Sequence, residues 1–241
     1  MISSLQSTKV GDEKMITAGQ AARMIDISAV RTHHSRKDIE ELAEYGKKYR
    51  FINLHVLPNW VPTMRELLKD TPDVLVGSPV GFPSGAHRTD VKLYEAEQLL
   101  KDGVQEMDIV MNIGRFRSGE YEYVEDELKK IIGMVDHRIP TKVIIEICTL
   151  TDDQMLKAAD LVIDAGADFV KTGTGWVSSD PSLDRIRKLK EYCGNRIKVK
   201  AAGGIRTADQ FCELVDMGVE RVGINTNSAI SILKSLGERS H

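Results

Sequence analysis

Eight short β-branched runs, separated by amphipathic stretches of helical spacing, succeed one another from about residue 24 to residue 224. They are Met24–Ile27, Phe51–Val56, Val74–Val80, Glu106–Met111, Lys142–Ile147, Asp168–Lys171, Ile197–Lys200 and Glu220–Ile224. Between them the apolar residues return every three or four positions, as in Lys92–Lys101, Val124–Val135, Asp152–Ala165 and Thr207–Met217, which predicts helices. Two helix starts are explicit: Thr151 with Gln154 and Thr207 with Gln210 form capping boxes. Gly103, Gly166 and Gly218 stand at helix-to-strand joints, where a left-handed residue ends a helix. Strand–helix alternation repeated eight times predicts a parallel sheet closed as a (β/α)8 TIM barrel. The other arrangement of such units, an open doubly wound sheet, lacks support from a Gly-x-Gly-x-x-Gly after the first strand.

The chain has 241 residues, with no low-complexity linker or break in composition. One barrel domain over residues 21–241, preceded by an N-terminal extension over residues 1–20, is expected. A net charge of −3 with interspersed signs argues against a nucleic-acid partner. No apolar run approaches the ~20 residues of a membrane span. Three cysteines without disulfide or metal spacing, and an N-terminus without a basic-then-apolar leader pattern, make the cytoplasm the expected location.

A strand buried on both faces should be almost wholly apolar. Asp108 in strand four, Lys171 at the end of strand six and Lys200 at the end of strand seven break that rule. Adjacent strands lie ~4.8 Å apart, so the two lysines can share one cavity. At its ordinary pKa a lysine is neutral in about one molecule in 2,500 at pH 7, and only the neutral amine attacks a carbonyl. Burial and a second cation both lower that pKa. Lys171 is therefore read as a Schiff-base nucleophile, Lys200 as its activator and Asp108 as a proton carrier. Period-2 parity puts Lys198 on the same face as Lys200, one layer deeper; it must either reach the lower mouth or pair with an acid such as Glu106. Glycine loops follow strands six (Lys171-Thr172-Gly173-Thr174-Gly175-Trp176), seven (Ala202-Gly203-Gly204-Ile205-Arg206-Thr207) and eight (Gly223-Ile224-Asn225-Thr226-Asn227-Ser228). The last two occupy the customary phosphate position of this fold, where backbone N–H groups and a helix N-terminus favour an anion.

Asp168-Phe169-Val170-Lys171-Thr172-Gly173-Thr174-Gly175 resembles the Schiff-base motif of the deoxyribose-phosphate aldolase family, and Lys198-Val199-Lys200-Ala201-Ala202-Gly203-Gly204-Ile205-Arg206 resembles its second-lysine motif. Ile25-Asp26, Val80-Gly81-Phe82-Pro83-Ser84-Gly85, Glu106–Asn112 and Val143–Glu146 fit the same family, so the similarity runs from about Ala21 to Leu233. The resemblance implies reversible cleavage of 2-deoxyribose 5-phosphate to glyceraldehyde 3-phosphate and acetaldehyde. It implies a Schiff base on Lys171 and a proton relay through Lys200 and Asp108. It also implies phosphate contacts at Gly175, Gly203, Gly204, Arg206 and Gly223, no metal or organic cofactor, and a homo-oligomer. Thr172, Asn225, Thr226 and His55 are further candidates for contacting the substrate. Several positions depart from the pattern: His55 stands where a cysteine is usual, Gly173 replaces Ser or Thr, Asn225 and Thr226 replace serines, and Ile147-Cys148 replaces a small polar pair. His33, His34 and His87 lie in loops expected to reach the same mouth, without metal-ligand spacing. These departures leave the imine chemistry intact and open the identity of the sugar. A longer or differently hydroxylated sugar phosphate, or a non-catalytic barrel that only binds one, are the other readings.

Overall fold

The computed structural model describes residues 16–177 and 182–239. Eight parallel strands close into a barrel in sequence order: β1 (Ile25–Ala29), β2 (Asn53–Val56), β3 (Leu75–Val80), β4 (Glu106–Val110), β5 (Thr141–Ile144), β6 (Phe169–Lys171), β7 (Lys198–Ala202) and β8 (Arg221–Ile224), with β8 returning to β1. The open-sheet alternative is thereby excluded. Ten helices are described: α1 (Ala18–Ala22), α2 (Arg36–Tyr49), α3 (Val61–Leu67), α4 (Thr89–Lys101), α5 (Ile113–Arg117), α6 (Tyr121–Val135), α7 (Asp152–Asp164), α8 (Leu183–Cys193), α9 (Ala208–Asp216) and α10 (Thr226–Arg239). No helix among the described residues is long and apolar enough to cross a membrane.

Local chemistry accounts for most element ends. The capping boxes at Thr151 and Thr207 form, and Thr17 and Ser35 open α1 and α2 in the same way. Gly103, Gly166 and Gly218 leave α4, α7 and α9 with φ of 82°, 81° and 77°, a conformation open to glycine at little cost. Strand five ends three residues earlier than its apolar run suggests. There Glu146 takes a left-handed φ of 51° and Ile147–Thr149 coil into a 3-10 turn. Residues 1–15 of the expected N-terminal extension lie outside the described residues; from Thr17 onward the chain is capping and forming α1, which packs against α10.

The apolar core lies between the barrel and its helices. Ile25, Ile27, Leu54, Val56, Val76, Met107, Ile109, Val143, Val170, Val199, Ala201 and Val222 alternate along the strands and pack with the buried stripes of the helices. The intervening positions face the barrel interior and are polar: Asp26, Asn53, His55, Glu106, Asp108, Lys142, Lys171, Lys200 and Arg221 are all buried. The expectation of nearly apolar strands is corrected here. A closed barrel separates the two faces of each strand, so one face can bury hydrocarbon while the other carries a charge network.

That network has defined partners. Lys142 Nζ donates to Glu106 at 2.6 Å, and Arg221 clasps Glu106 at 2.8 Å and Asp26 at 2.7 Å. Phe169 sits beneath it, its ring centre 5.8 Å from the Lys142 ammonium and 5.8 Å from the Arg221 guanidinium. Lys198 resolves to the first of its two expected positions: it is exposed at the foot of β7, 5.4 Å over the same ring, while Glu106 is already held by Lys142 and Arg221. Breaking one partner of a buried ion set leaves the others uncompensated, at about 3–5 kcal/mol. Arg221→Met should therefore lower unfolding stability in urea by about 3–5 kcal/mol, whereas Lys198→Met should leave the urea midpoint unchanged.

Candidate active site

At the upper end of the barrel one carboxylate gathers four bases. Lys171 Nζ donates to Asp108 Oδ2 at 2.7 Å and Lys200 Nζ to the same oxygen at 2.9 Å. The two lysines are register partners on β6 and β7, so their side chains leave neighbouring strands at the same height. Lys142 Nζ lies 3.2 Å from Asp108 Oδ1 and Lys200 Nζ 2.5 Å from Asp26 Oδ2, but neither oxygen receives an aligned hydrogen bond, so both contacts are coulombic. His55 Nε2 is 3.4 Å from Asp108 Oδ2, likewise without an aligned bond.

Burial sets the electrostatics. It lowers the Lys171 pKa to about 8; the Asp108 carboxylate opposes that shift, and the Lys200 charge adds to it. The lysine neighbour thus contributes as expected, but desolvation leads. For Asp108 burial alone would raise the pKa; His55, Lys142, Lys171 and Lys200 outweigh it and hold the carboxyl well below the usual range. Lys142 goes the other way: burial favours its neutral form, yet Asp108, Glu106 and Asp26 push it up to about 12. Burial also holds His55 well below its ordinary value. Its Nδ1 faces Asn53 Nδ2 at 3.1 Å, so an amide N–H donated there leaves the ring proton on Nε2, toward Asp108.

Beside this cluster opens a cavity of about 530 Å3. Gly203, Gly204 and Arg206 from the β7 loop and Gly223, Asn225 and Thr226 at the β8 end line it, with Gly175 from the β6 loop. It abuts the ion cluster at Gly223, where an added Cβ would lie 3.5 Å from Lys200 Cε. Asn225 Oδ1 accepts from Ser228 N at 3.0 Å, closing the first turn of α10. Lys171 itself is buried, 7% exposed. Thr172 donates its hydroxyl to Ala202 O at 3.0 Å and accepts from Ala202 N at 2.9 Å, which ties β6 to β7, and it lines a second, smaller cavity with Glu146, Gly173 and Ala202. Glu146 holds the same loop by accepting from Thr174 Oγ1 at 2.5 Å and Thr174 N at 3.2 Å. A Cβ on Gly173 would come within 2.8 Å of Glu146 Oε1, which accounts for the glycine there. Of the loop histidines, His34 lines the cavity, His33 packs edge-on against it at 5.0 Å, and His87 is exposed. Among the described residues no three His, Cys, Asp or Glu side chains form a metal-holding group.

Residues 64–230 match the sequence model of the DeoC/LacD family aldolases, more than half of the chain. The chain belongs to the DeoC/LacD aldolase family. A deoxyribose-phosphate aldolase of Sinorhizobium medicae is 43% identical over 213 residues, spanning 88% of this chain and 86% of that protein. Among solved structures, QR15, an aldolase, superposes with a TM-score of 0.84 at 35% identity, over 91% of this chain and 97% of its own. The tetrameric deoxyribose phosphate aldolase of Aeropyrum pernix superposes with a TM-score of 0.83 at 28% identity, over 91% and 92% of the two chains.

Sequence reasoning missed Asp26, Lys142 and Arg221 as members of the charge cluster of this DeoC/LacD barrel. The signal was present: each is a charged residue inside a strand, at the parity of Asp108, Lys171 or Lys200. His55 has a partner requirement of its own, since a Cβ on Gly77 would lie 2.3 Å from His55 Nδ1. Gly77→Ala should cost about 1–3 kcal/mol of unfolding stability through overpacking. In a double-mutant cycle, His55→Ala should recover much of that loss.

Proposed function

We propose that this chain is a class I aldolase that cleaves 2-deoxyribose 5-phosphate reversibly to glyceraldehyde 3-phosphate and acetaldehyde through a Schiff base on Lys171. The observation that carries the reading is the Lys171 amine, buried on Asp108 with its pKa brought to about 8. At that value about one molecule in ten is neutral at pH 7, a gain of more than a hundredfold over a solvated lysine. The names of the relatives and family membership support the substrate.

The neutral amine adds to C1 of the open sugar; loss of water gives the iminium. Removal of the C3 hydroxyl proton then lets the C2–C3 bond break, its electrons passing into the iminium to form an enamine. Glyceraldehyde 3-phosphate leaves, C2 is protonated, and hydrolysis frees acetaldehyde and Lys171. The iminium is itself the electron sink, so the reading calls for no metal or organic cofactor. Asp108 is held too acidic to store a proton in the resting site. Its part is to anchor both ammonium groups and to accept from them, with Lys200 as the group that gives and takes protons beside the imine. Gly175, Gly203, Gly204, Arg206 and Gly223, with Asn225 and Thr226 at the start of α10, hold the phosphate in the cavity. His55 reads a hydroxyl of the sugar. The barrel over residues 21–241 is the catalytic domain, with residues 1–20 as an extension. A cytoplasmic homo-oligomer completes the reading, supported by the cysteine pattern and by the tetramer of the A. pernix relative.

A second reading keeps the imine and changes the sugar to a longer or differently hydroxylated phosphate. His55 and Gly173 favour it, because both depart from the family pattern: the His55 ring reaches to Asp108 beside the lysines, and Gly173 lies against Glu146 in the loop after Lys171.

Incubation with acetaldehyde and borohydride should fix a two-carbon adduct on Lys171, absent in Lys171→Leu; no adduct with any aldehyde would leave only a sugar-phosphate binder. Turnover on a panel of sugar phosphates separates the two substrates. Because Lys171 attacks only when deprotonated, imine formation should rise about tenfold per pH unit below 8 and level off above it. Lys200→Leu removes a charge that lowers the Lys171 pKa, so its imine formation should be slower at pH 7 and partly recover at high pH. Full activity of that variant at neutral pH would remove Lys200 from its role.

A further inference from the structure

The loop between β1 and α2 is tied to the loop that follows Lys171. Trp176 Nε1 donates to Val30 O at 3.1 Å, and Arg31 Nη2 donates to Gly175 O at 2.6 Å. The Arg31 guanidinium lies 5.2 Å over the Trp176 ring, and Phe82 packs in an edge arrangement with that indole at 5.7 Å. An arginine on an exposed loop is ordinarily spread over many rotamers. Here a carbonyl and an aromatic face fix it on the cavity wall, which removes much of the entropy that ligand binding would otherwise cost. Among the described residues, four of its five N–H donors have no acceptor.

His34 stands beside it. Arg31 N donates to His34 Nδ1 at 3.1 Å, so Nδ1 is an acceptor and the ring proton sits on Nε2. That places a further donor on the same wall. Arg206 lines the cavity from the β7 loop, and neither it nor Arg31 forms a salt bridge among the described residues. Two acids also line the cavity, each bonded within its own helix and cap: Asp38 Oδ2 accepts from Ser35 N and Ser35 Oγ at 2.6 Å each and Glu41 accepts from Tyr45 OH at 3.0 Å, and neither pairs with Arg31 or Arg206. Two guanidinium groups with no ion-pair partner among the described residues, and an imidazole N–H, thus share a cavity with the glycine loops.

We infer that Arg31 and His34 form a second anion-reading wall, so that the phosphate of the substrate is clasped between the β1–α2 loop and the β7 and β8 loops. They are specificity-determining residues: they select a phosphorylated tail over a neutral one. The planar fork of Arg31 can present two parallel N–H donors to one phosphate, and His34 adds a third contact. Because Arg31 is bound to Gly175, a filled anion site also steadies the loop that begins at Lys171. The substrate assignment rests on the aldolase reading above; the anion wall does not.

Two measurements on the full chain separate them: calorimetric binding of inorganic phosphate, and trapping of acetaldehyde on Lys171 with borohydride, which involves no anion. Arg31→Met should weaken phosphate binding about ten- to a hundredfold and His34→Ala about three- to tenfold, as loss of hydrogen bonds to a charged group implies, with acetaldehyde still trapped. Unchanged phosphate affinity in both variants would overturn the inference. So would loss of trapping in step with phosphate binding, since Arg31 would then be only a prop for the loop. Weakened phosphate binding in a protein that never traps an aldehyde would support the wall and sink the aldolase reading instead.

Discussion

Inside the barrel three carboxylates, Asp26, Glu106 and Asp108, face four bases, Lys142, Lys171, Lys200 and Arg221. The strands close on themselves and bury these side chains, with the Phe169 ring against Lys142 and Arg221. A buried excess of one base is costly, and the least costly remedy is for one base to shed its proton. Arg221 is clasped by Asp26 and Glu106, and Lys142 lies against Glu106 and Asp108 with the Asp26 charge adding to them, which raises both. Lys171 has only Asp108 as a direct partner and stands uppermost. Burial is the main reason its pKa falls and the Lys200 charge adds to it, with Asp108 the main opposing charge, so the lysine with the fewest acid partners is the one left below its ordinary value.

The same closure explains how stability and chemistry coexist. Hydrocarbon is buried on the outer face of every strand, against the helices, so the folding energy does not depend on the interior being apolar. The interior is free to hold charges whose net contribution to stability is small and whose arrangement is specific. Parallel strands also end together, so every loop that follows one reaches a single mouth. The glycine loops after β7 and β8 and the lysine pair become neighbours through this topology, although more than fifty residues separate Lys171 from Asn225.

Much of this could be read in the chain. β-branched runs alternating with stretches of helical period marked the eight units, Thr151 and Thr207 marked helix starts, and the lysines of β6 and β7 marked the pair that meets on Asp108. Other features could not be read. Thr172 follows Lys171, but that its hydroxyl bonds both backbone groups of Ala202 across the β6–β7 seam is written in neither segment. Lys198 shares the parity of Lys200, yet it sits at the foot of the strand, where the barrel opens to water. Arg31 looks like any loop arginine until Gly175 and Trp176 are brought to it from 144 residues away.

The sequence by itself determined the barrel, its alternation, and the residue types needed for an imine and an anion, because periodicity, capping and glycine placement act over a few neighbouring residues. Only the tertiary structure decided which charges meet, which hydroxyl is already spent and which base is left short of a partner. Those outcomes depend on distances across the barrel and on the water excluded from it, and neither is a property of any local stretch of chain.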